Sequence, residues 1–286
     1  MKILWKITLF LIITTLGLIA TFTILRYSQK VSIDAKLLRV KNYYNSQLII
    51  NKILTGEGLG SYRWHTRFTI PDDHGNKINE IEYLIRNSKI NNESIILDWG
   101  CGMGWLVVYL AKKYNCRVEG INISKKQLFY ANKLAVEEKV THLTRFYLYD
   151  GKKLPFPNNR FDIVYSQEAL VHAPDKQLAF GEIFRVLKPG GELSIQDWFA
   201  NEENENWPAL TRDIDIKFNT FLDSFQNTVR LCESLGFIDI ATVDMHKKLG
   251  SEFLRPFGGF PFFNPISKNA FTVVFLSAQK PRINGK

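Results

Sequence analysis

One stretch constrains the fold more than any other: Ile95-Ile96-Leu97-Asp98-Trp99-Gly100-Cys101-Gly102-Met103-Gly104. An apolar run ends on an acid and passes into alternating glycines. Residues 105–113 then carry Leu106, Val107, Leu110 and Ala111 at helical spacing. A buried strand, a glycine turn and a helix start in succession make a socket for a polar ligand, because the unpaired amides of the helix end point at it. Glycine takes positive φ without strain and lets a ligand approach where a Cβ would collide. The spacing also excludes one ligand class. A dinucleotide loop reads G-x-G-x-x-G, with its third glycine needed for close helix–strand packing. Here Gly100, Gly102 and Gly104 alternate and Trp105 stands at the sixth position.

Strand and helix patterns alternate downstream. Residues 116–124 read as a second strand, and Ser124 is placed to cap a helix over 125–139. Residues 144–149 form a third strand that ends at Asp150-Gly151, and 161–166 a fourth. A helix over 175–187, stopped by Lys188-Pro189-Gly190-Gly191, leads to a fifth strand over 192–197. Such alternation predicts an α/β fold with a doubly wound, mostly parallel sheet. Ligands of these sheets bind at the carboxyl ends of the strands, where Asp98, Asn122, Asp150, Ser166 and Asp197 all fall. A short helix over 77–86 precedes the first strand, and helices over 208–220 and 225–235 follow the fifth.

The combined set is specific. Asp98-x-Gly-x-Gly-x-Gly, Gly120-Ile-Asn-Ile-Ser124-x-x-Gln127, Asp150-Gly151 before Leu-Pro-Phe, Phe161-Asp-Ile-Val and Leu187-Lys-Pro-Gly-Gly resemble a class I S-adenosyl-L-methionine (SAM) methyltransferase. The portion around Asn122 is most similar to the branch holding sterol, tocopherol, sarcosine/dimethylglycine and cyclopropane-fatty-acid enzymes. The resemblance covers residues 95–198 and, more loosely, the remainder. It implies a seven-stranded Rossmann-like sheet whose last two strands, 237–243 and 271–278, make an antiparallel hairpin at one edge. It also implies SAM as cofactor. Asp98 and the amides of Gly100, Cys101, Gly102 and Gly104 would serve its methionine part, and Asp150 and Gly151 the adenine. Asn122, Ile123 and Gln127 would serve the ribose, and Ser166 and Gln167 complete the cofactor set. Most class I members end the second strand on an acid; Asn122 departs from that pattern, and it keeps one acceptor and one donor.

Methyl transfer from a sulfonium chiefly needs alignment and exclusion of water, with a base only where the nucleophile must lose a proton. Glu168 and His172 are the candidate catalytic residues. They are four apart, share a face if that stretch is helical, and histidine ordinarily titrates near neutrality. The plainer alternative makes Glu168 a solvated helix residue and His172 a packing group. No metal is expected: Cys101, Cys116 and Cys232 are scattered, without C-x-x-C spacing or a disulfide framework, which favours a reducing compartment.

The N-terminal part adds something apolar to a chain of 286 residues that is 45% hydrophobic and 23% charged. Residues 7–25 carry no charge and span roughly 28 Å as a helix at about 1.5 Å per residue, close to a hydrocarbon core of about 30 Å. We read residues 1–26 as a transmembrane anchor rather than a cleaved signal peptide, since no small-x-small site follows before Arg26. Residues 27–90 form a juxtamembrane helix (27–50) and a lid segment, and 91–286 the methyltransferase domain, with a cofactor half (91–200) and an acceptor side (201–286). Arg26, Lys30, Lys36, Arg39 and Lys41 outweigh Lys2 and Lys6, placing a single-pass protein with its catalytic domain in the cytoplasm. The net charge of +9 suits an anionic leaflet; its scatter, without a recognition motif, argues against nucleic acid.

Tyr43, Tyr44, Tyr62 and Trp64 are candidate lid aromatics, or else packing residues. Phe253, Phe257, Phe260, Phe262 and Phe263, interrupted by proline and glycine, are either part of a greasy acceptor pocket or an aromatic plug. The expected activity is methyl transfer to a small lipophilic acceptor such as a sterol, prenylated quinol or acyl lipid. The alternatives are a soluble-amine N-methyltransferase of the sarcosine type and a non-catalytic SAM-binding module.

Overall fold

The first strand of the main sheet, β3 (Ile95–Trp99), lies third in the order β5 (Thr144–Leu148), β4 (Arg117–Asn122), β3, β6 (Phe161–Gln167), β7 (Leu187–Ala200), β9 (Phe271–Gln279), β8 (Ile238–Asp244) of a seven-stranded sheet. The computed structural model describes residues 32–55, 69–71, 77–249 and 271–282. The 7–25 run, Tyr62, Trp64 and the phenylalanines of 253–263 lie outside the described residues. Among the described residues, no helix is long and apolar enough to cross a membrane.

β3 pairs in parallel with β4 (Arg117–Asn122) on one side and β6 (Phe161–Gln167) on the other. β5 (Thr144–Leu148) closes one edge beside β4. β7 (Leu187–Ala200) lies parallel to β6, and β9 (Phe271–Gln279) runs antiparallel between β7 and the other edge, β8 (Ile238–Asp244). The expected hairpin is present, with its second strand inserted beside β7. Successive residues of β3 show why the strands read as apolar runs: Ile96 and Leu97 point to opposite faces and both are fully buried.

One face is covered by α2 (Glu80–Ile85), α3 (Trp105–Tyr114) and α4 (Lys125–Glu137), through Leu84, Leu110 and Leu128 among others. The other face is covered by α5 (Lys176–Val186) and α7 (Phe225–Ser234), through Phe180, Ile183 and Cys232. The caps follow the sequence rules: Ser124 Oγ accepts from the Gln127 amide at 3.2 Å and Asp175 Oδ1 from the Leu178 amide at 2.9 Å. α1 (Ile33–Thr55) precedes the sheet, and α6 (Trp207–Phe218) and the short α8 (Met245–Leu249) complete the helices described.

Three expectations change. Residues 77–79 do not open a helix; they form β2 (Lys77–Asn79), paired with β1 (Thr69–Pro71). The helix starts only at Glu80, because Asn79 Oδ1 caps the Glu82 amide at 2.8 Å. The fifth strand is much longer than 192–197, since the antiparallel β9 pairs with it as far as Ala200. Asp197 therefore lies within β7, one residue past its last pairing with β6 at Gln196.

Candidate active site

The loop after β3 is shaped by glycine at each alternate position. Gly100, Gly102 and Gly104 have φ of 86°, 51° and 84°, a region that costs other residues about 1–2 kcal/mol. A Cβ on Gly100 would meet the Ala169 Cβ at 2.2 Å, and one on Gly104 would meet Ala131 at 2.9 Å; at Gly102 it would meet nothing within 4 Å. The flanking glycines are thus packing glycines, and Gly102 is the open apex. The Gly100 and Cys101 amides both donate to Ile121 O, and the Gly104 amide to Cys101 O. These bonds tie the loop to β4 and leave Gly102 and Met103 as the apex amides. Cys101 is buried beside Asp98, and its thiol is pushed well above its ordinary range by burial and then by that carboxylate. Asp98 is itself buried.

At the end of β4 the side chain of Asn122 is already organised. Its Nδ2 donates to Gln127 Oε1 at 2.8 Å and to Gly102 O at 3.1 Å, while Oδ1 accepts from the Ser124 amide. The structure brings Asn122, Gln127 and the glycine apex together, with Ile123 between them. At the end of β5, Asp150 is exposed and Oδ1 accepts the amides of Lys152 and Lys153, leaving Oδ2 outward. Gly151, with φ of 87°, lies under Leu37 of α1, whose Cδ2 would stand 2.3 Å from any Cβ there. Ser166 Oγ and Gln167 Nε2 at the end of β6, and Gln196 Oε1 on β7, are buried without a partner. Buried polar atoms are normally paired, so these unsatisfied groups where β6 ends mark a place for a polar ligand.

α1 spans these ends. Asp34 reaches Lys152 at 2.6 Å, Leu37 covers Gly151, and Asn45 Oδ1 accepts from Ser124 Oγ at 2.8 Å. Tyr44, with Tyr43 packed edge-on at 5.2 Å, descends onto His172. The His172 Nδ1 faces the Asn219 carbonyl at 3.1 Å; a carbonyl only accepts, so Nδ1 carries the proton. The Nε2 lone pair then receives the Tyr44 hydroxyl at 2.5 Å. Burial, with Lys176 nearby, lowers the His172 pKa to about 4, against the pull of its bond to Asn219. Burial and the charges of Tyr43, Glu168 and Asp197 hold the Tyr44 phenol protonated. The expectation of a histidine titrating near neutrality is corrected: both ring nitrogens are engaged and the ring is neutral.

Glu168 and His172 do not share a helix face either. Glu168 has φ of 49°, and only Leu170–His172 turn, as a short 3-10 segment. A glutamate held in the left-handed region costs energy and is maintained by its surroundings. Its amide donates to Gln196 O at 2.8 Å, and its carboxylate receives Trp198 Nε1 at 3.2 Å and Gln196 Nε2 at 3.4 Å. The turn behind it is clamped by Asp197, expected only as a strand-end acid, and by Lys176, which the sequence did not single out. Asp197 Oδ2 accepts the Val171 amide at 2.9 Å, and Lys176 Nζ donates to Leu170 O and Ala173 O at 2.5 and 3.1 Å. Burial pushes the Asp197 carboxyl up and the Lys176 ammonium down, each opposed by the other's charge.

Residues 97–195 match the family model of the methyltransferase domain. The span covers the glycine loop, the Asn122 and Asp150 strand ends and the Glu168 turn. Over these residues the chain is a methyltransferase domain of the class I SAM-dependent kind. Among curated methyltransferases, it is 33% identical over 154 residues to a sterol 24-C-methyltransferase of Neurospora crassa, covering 54% of this chain and 40% of that one. It is 30% identical over 185 residues to a probable tocopherol O-methyltransferase of Oryza sativa subsp. japonica, covering 62% and 48%. The chain thus spans about half the length of the curated relatives it matches. Its fold is similar to that of geranyl diphosphate C-methyltransferase from Streptomyces coelicolor A3(2), with a TM-score of 0.68 at 19% identity over 86% of this chain and 98% of that one.

Proposed function

We propose that this methyltransferase moves the methyl group of SAM to a small lipophilic acceptor, such as a sterol, prenylated quinol or acyl lipid, at a membrane surface. The observation that carries this reading is the setting of Glu168: a carboxylate at the strand ends, flanked by Trp198 and roofed by Tyr44 and a neutral His172. Lys176 Nζ is turned onto the carbonyls behind the turn.

The residues present fit the donor. The open apex at Gly102 admits a carboxylate, Asn122 and Gln127 suit ribose hydroxyls, and Oδ2 of Asp150 suits an exocyclic amine. The orphaned Ser166 and Gln167 groups line the approach. SAM supplies an electrophilic methyl on a sulfonium. The chain does the remainder: α1 shuts water out over the strand ends, and its tyrosine fixes the roof. Glu168 stabilises positive charge that develops on the methylated acceptor and takes up a proton where one must leave, an electrostatic role that an apolar setting strengthens.

Sterol and tocopherol methyltransferases among the relatives support the lipophilic class. The uncharged 7–25 run and the charge of +9 support a single-pass anchor with the catalytic domain on the cytoplasmic side. The test supplies the full chain with SAM labelled in its methyl group, together with a lipid extract and a set of water-soluble amines. Label in the organic phase supports the reading. Label confined to the amines defeats it in favour of the sarcosine-type alternative.

A further inference from the structure

α4 turns one side away from the fold. Gln127, Leu128, Ala131 and Ala135 are buried against the sheet. Phe129 and Val136 stand on the opposite side, 66% and 64% exposed. At 3.6 residues per turn they lie about two turns apart on one stripe. Lys125, Lys126 and Lys133 flank that stripe, all exposed, with Lys133 lying 3.6 Å from Glu137. The edge strand extends the apolar surface. Phe146 and Ala131 both close on Gly104, so α4 packs on the face of β5 that Phe146 occupies. Leu148, two residues on and therefore on the same face, is 53% exposed.

We propose that this flank docks on an anionic bilayer. Phe129 and Val136 enter the boundary between headgroups and acyl chains, and Lys125 and Lys133 meet lipid phosphates. The proposal deepens the membrane-surface reading above and rests on it. Charge complementarity selects the occupant: a large aromatic and a branched aliphatic ringed by lysines is the pattern of an interfacial helix, and basic residues near an anionic leaflet add attraction. Chain geometry selects the flank. α1 begins at Ile33, shortly after the 7–25 run, and it is bonded to the start of α4 through Asn45, which receives Ser124 Oγ at 2.8 Å and Lys126 Nζ at 3.3 Å. α1, which follows the 7–25 run in the chain, lies with its first turn against Lys152 and with Asn45 against the start of α4, so it connects that run to the α4 flank. Docking there sets the α1-covered strand ends beside the bilayer, where a lipophilic acceptor resides.

The experiment places a nitroxide on Phe129→Cys or Val136→Cys, with Gln177→Cys on exposed α5 as reference. The native Cys101, Cys116 and Cys232 are buried and do not compete for label. Full-length chain is reconstituted into vesicles of phosphatidylcholine with phosphatidylglycerol, and into phosphatidylcholine alone. The readout is the ratio of collision rates with oxygen and with a water-soluble nickel chelate. The expected result is a severalfold rise at 129 and 136 over 177 in the anionic vesicles only, lost in a Lys125→Gln/Lys133→Gln background. Membrane-inserted chain whose 129 and 136 labels stay aqueous overturns the docking face and leaves the anchor standing. Dipolar broadening between copies without oxygen access overturns it in favour of self-association. Equal immersion in both vesicle types overturns its electrostatic basis. A chain that remains in solution overturns the membrane reading and the docking face together.

Discussion

Replacing His172 by glutamine separates the two things this ring does. The side chain of glutamine retains an acceptor for the Tyr44 hydroxyl and a donor for the Asn219 carbonyl, the two bonds of 2.5 and 3.1 Å that define the histidine. It removes only the titration. The folded-state pKa is about 4 against an ordinary 6.5. Because the folded value is depressed, the unfolded chain binds more protons between the two values, so stability is full above about pH 6.5 and lost as pH falls towards 4. A shift of that size corresponds to about 3 kcal/mol at 1.36 kcal/mol per unit. Asp197 and Asp215, whose pKa values burial raises, act in the opposite sense, and they remain in both proteins. The informative quantity is therefore the difference between wild type and His172→Gln in urea midpoints from pH 7 to pH 4. Wild type should lose about 3 kcal/mol relative to the variant over that range. Tyr44→Phe, which strands the Nε2 acceptor, should cost about 1–3 kcal/mol at pH 7. Superimposable acid limbs for wild type and His172→Gln would refute the neutral imidazole held between Tyr44 and Asn219.

Three further outcomes follow from the site. Gly100→Val places a β-branched side chain at φ of 86° against Ala169, and should abolish SAM binding in calorimetry while lowering the melting temperature. Asp150→Ala should weaken SAM at least tenfold, about 1.4 kcal/mol; Asp150→Asn keeps the turn onto Lys152 and Lys153 and isolates the carboxylate's part, so wild-type affinity in both variants would remove Asp150 from the adenine site. Glu168→Gln should reduce kcat about a hundredfold with KM for SAM unchanged, the size expected when a group acts on charge in the transition state.

The sheet was legible because its strands are apolar runs bounded by punctuation with one meaning each. Ser124 and Asp175 cap as their type and position require, and the alternating glycines mark a turn that other residues enter only under strain. The placement of the donor-side candidates was readable for the same reason: each sits at a strand end, and ends can be counted. The acceptor side was not. The left-handed backbone of Glu168 depends on Gln196 and Trp198, contributed by another strand, and nothing local to Glu168 announces it. His172 reads as an ordinary titrating histidine until Tyr44, 128 positions earlier, is placed on its ring. Lys77–Asn79 misleads in the other direction, since Ile78 with the following Ile81 and Leu84 suits a helix, and only pairing with Thr69–Pro71 makes the segment a strand.

The site assignment is tested most directly by hydrogen exchange of the full chain with and without SAM, resolved by peptide. The account predicts slowed exchange in the segments 99–105, 122–127, 149–153 and 166–172 and in the part of α1 around Tyr44 that covers them. The rate should be unchanged across the polar cavity lined by Asn201, Glu203 and Asp244, whose volume is about 680 Å³. Protection at that cavity, with the strand ends unaffected, would contradict it.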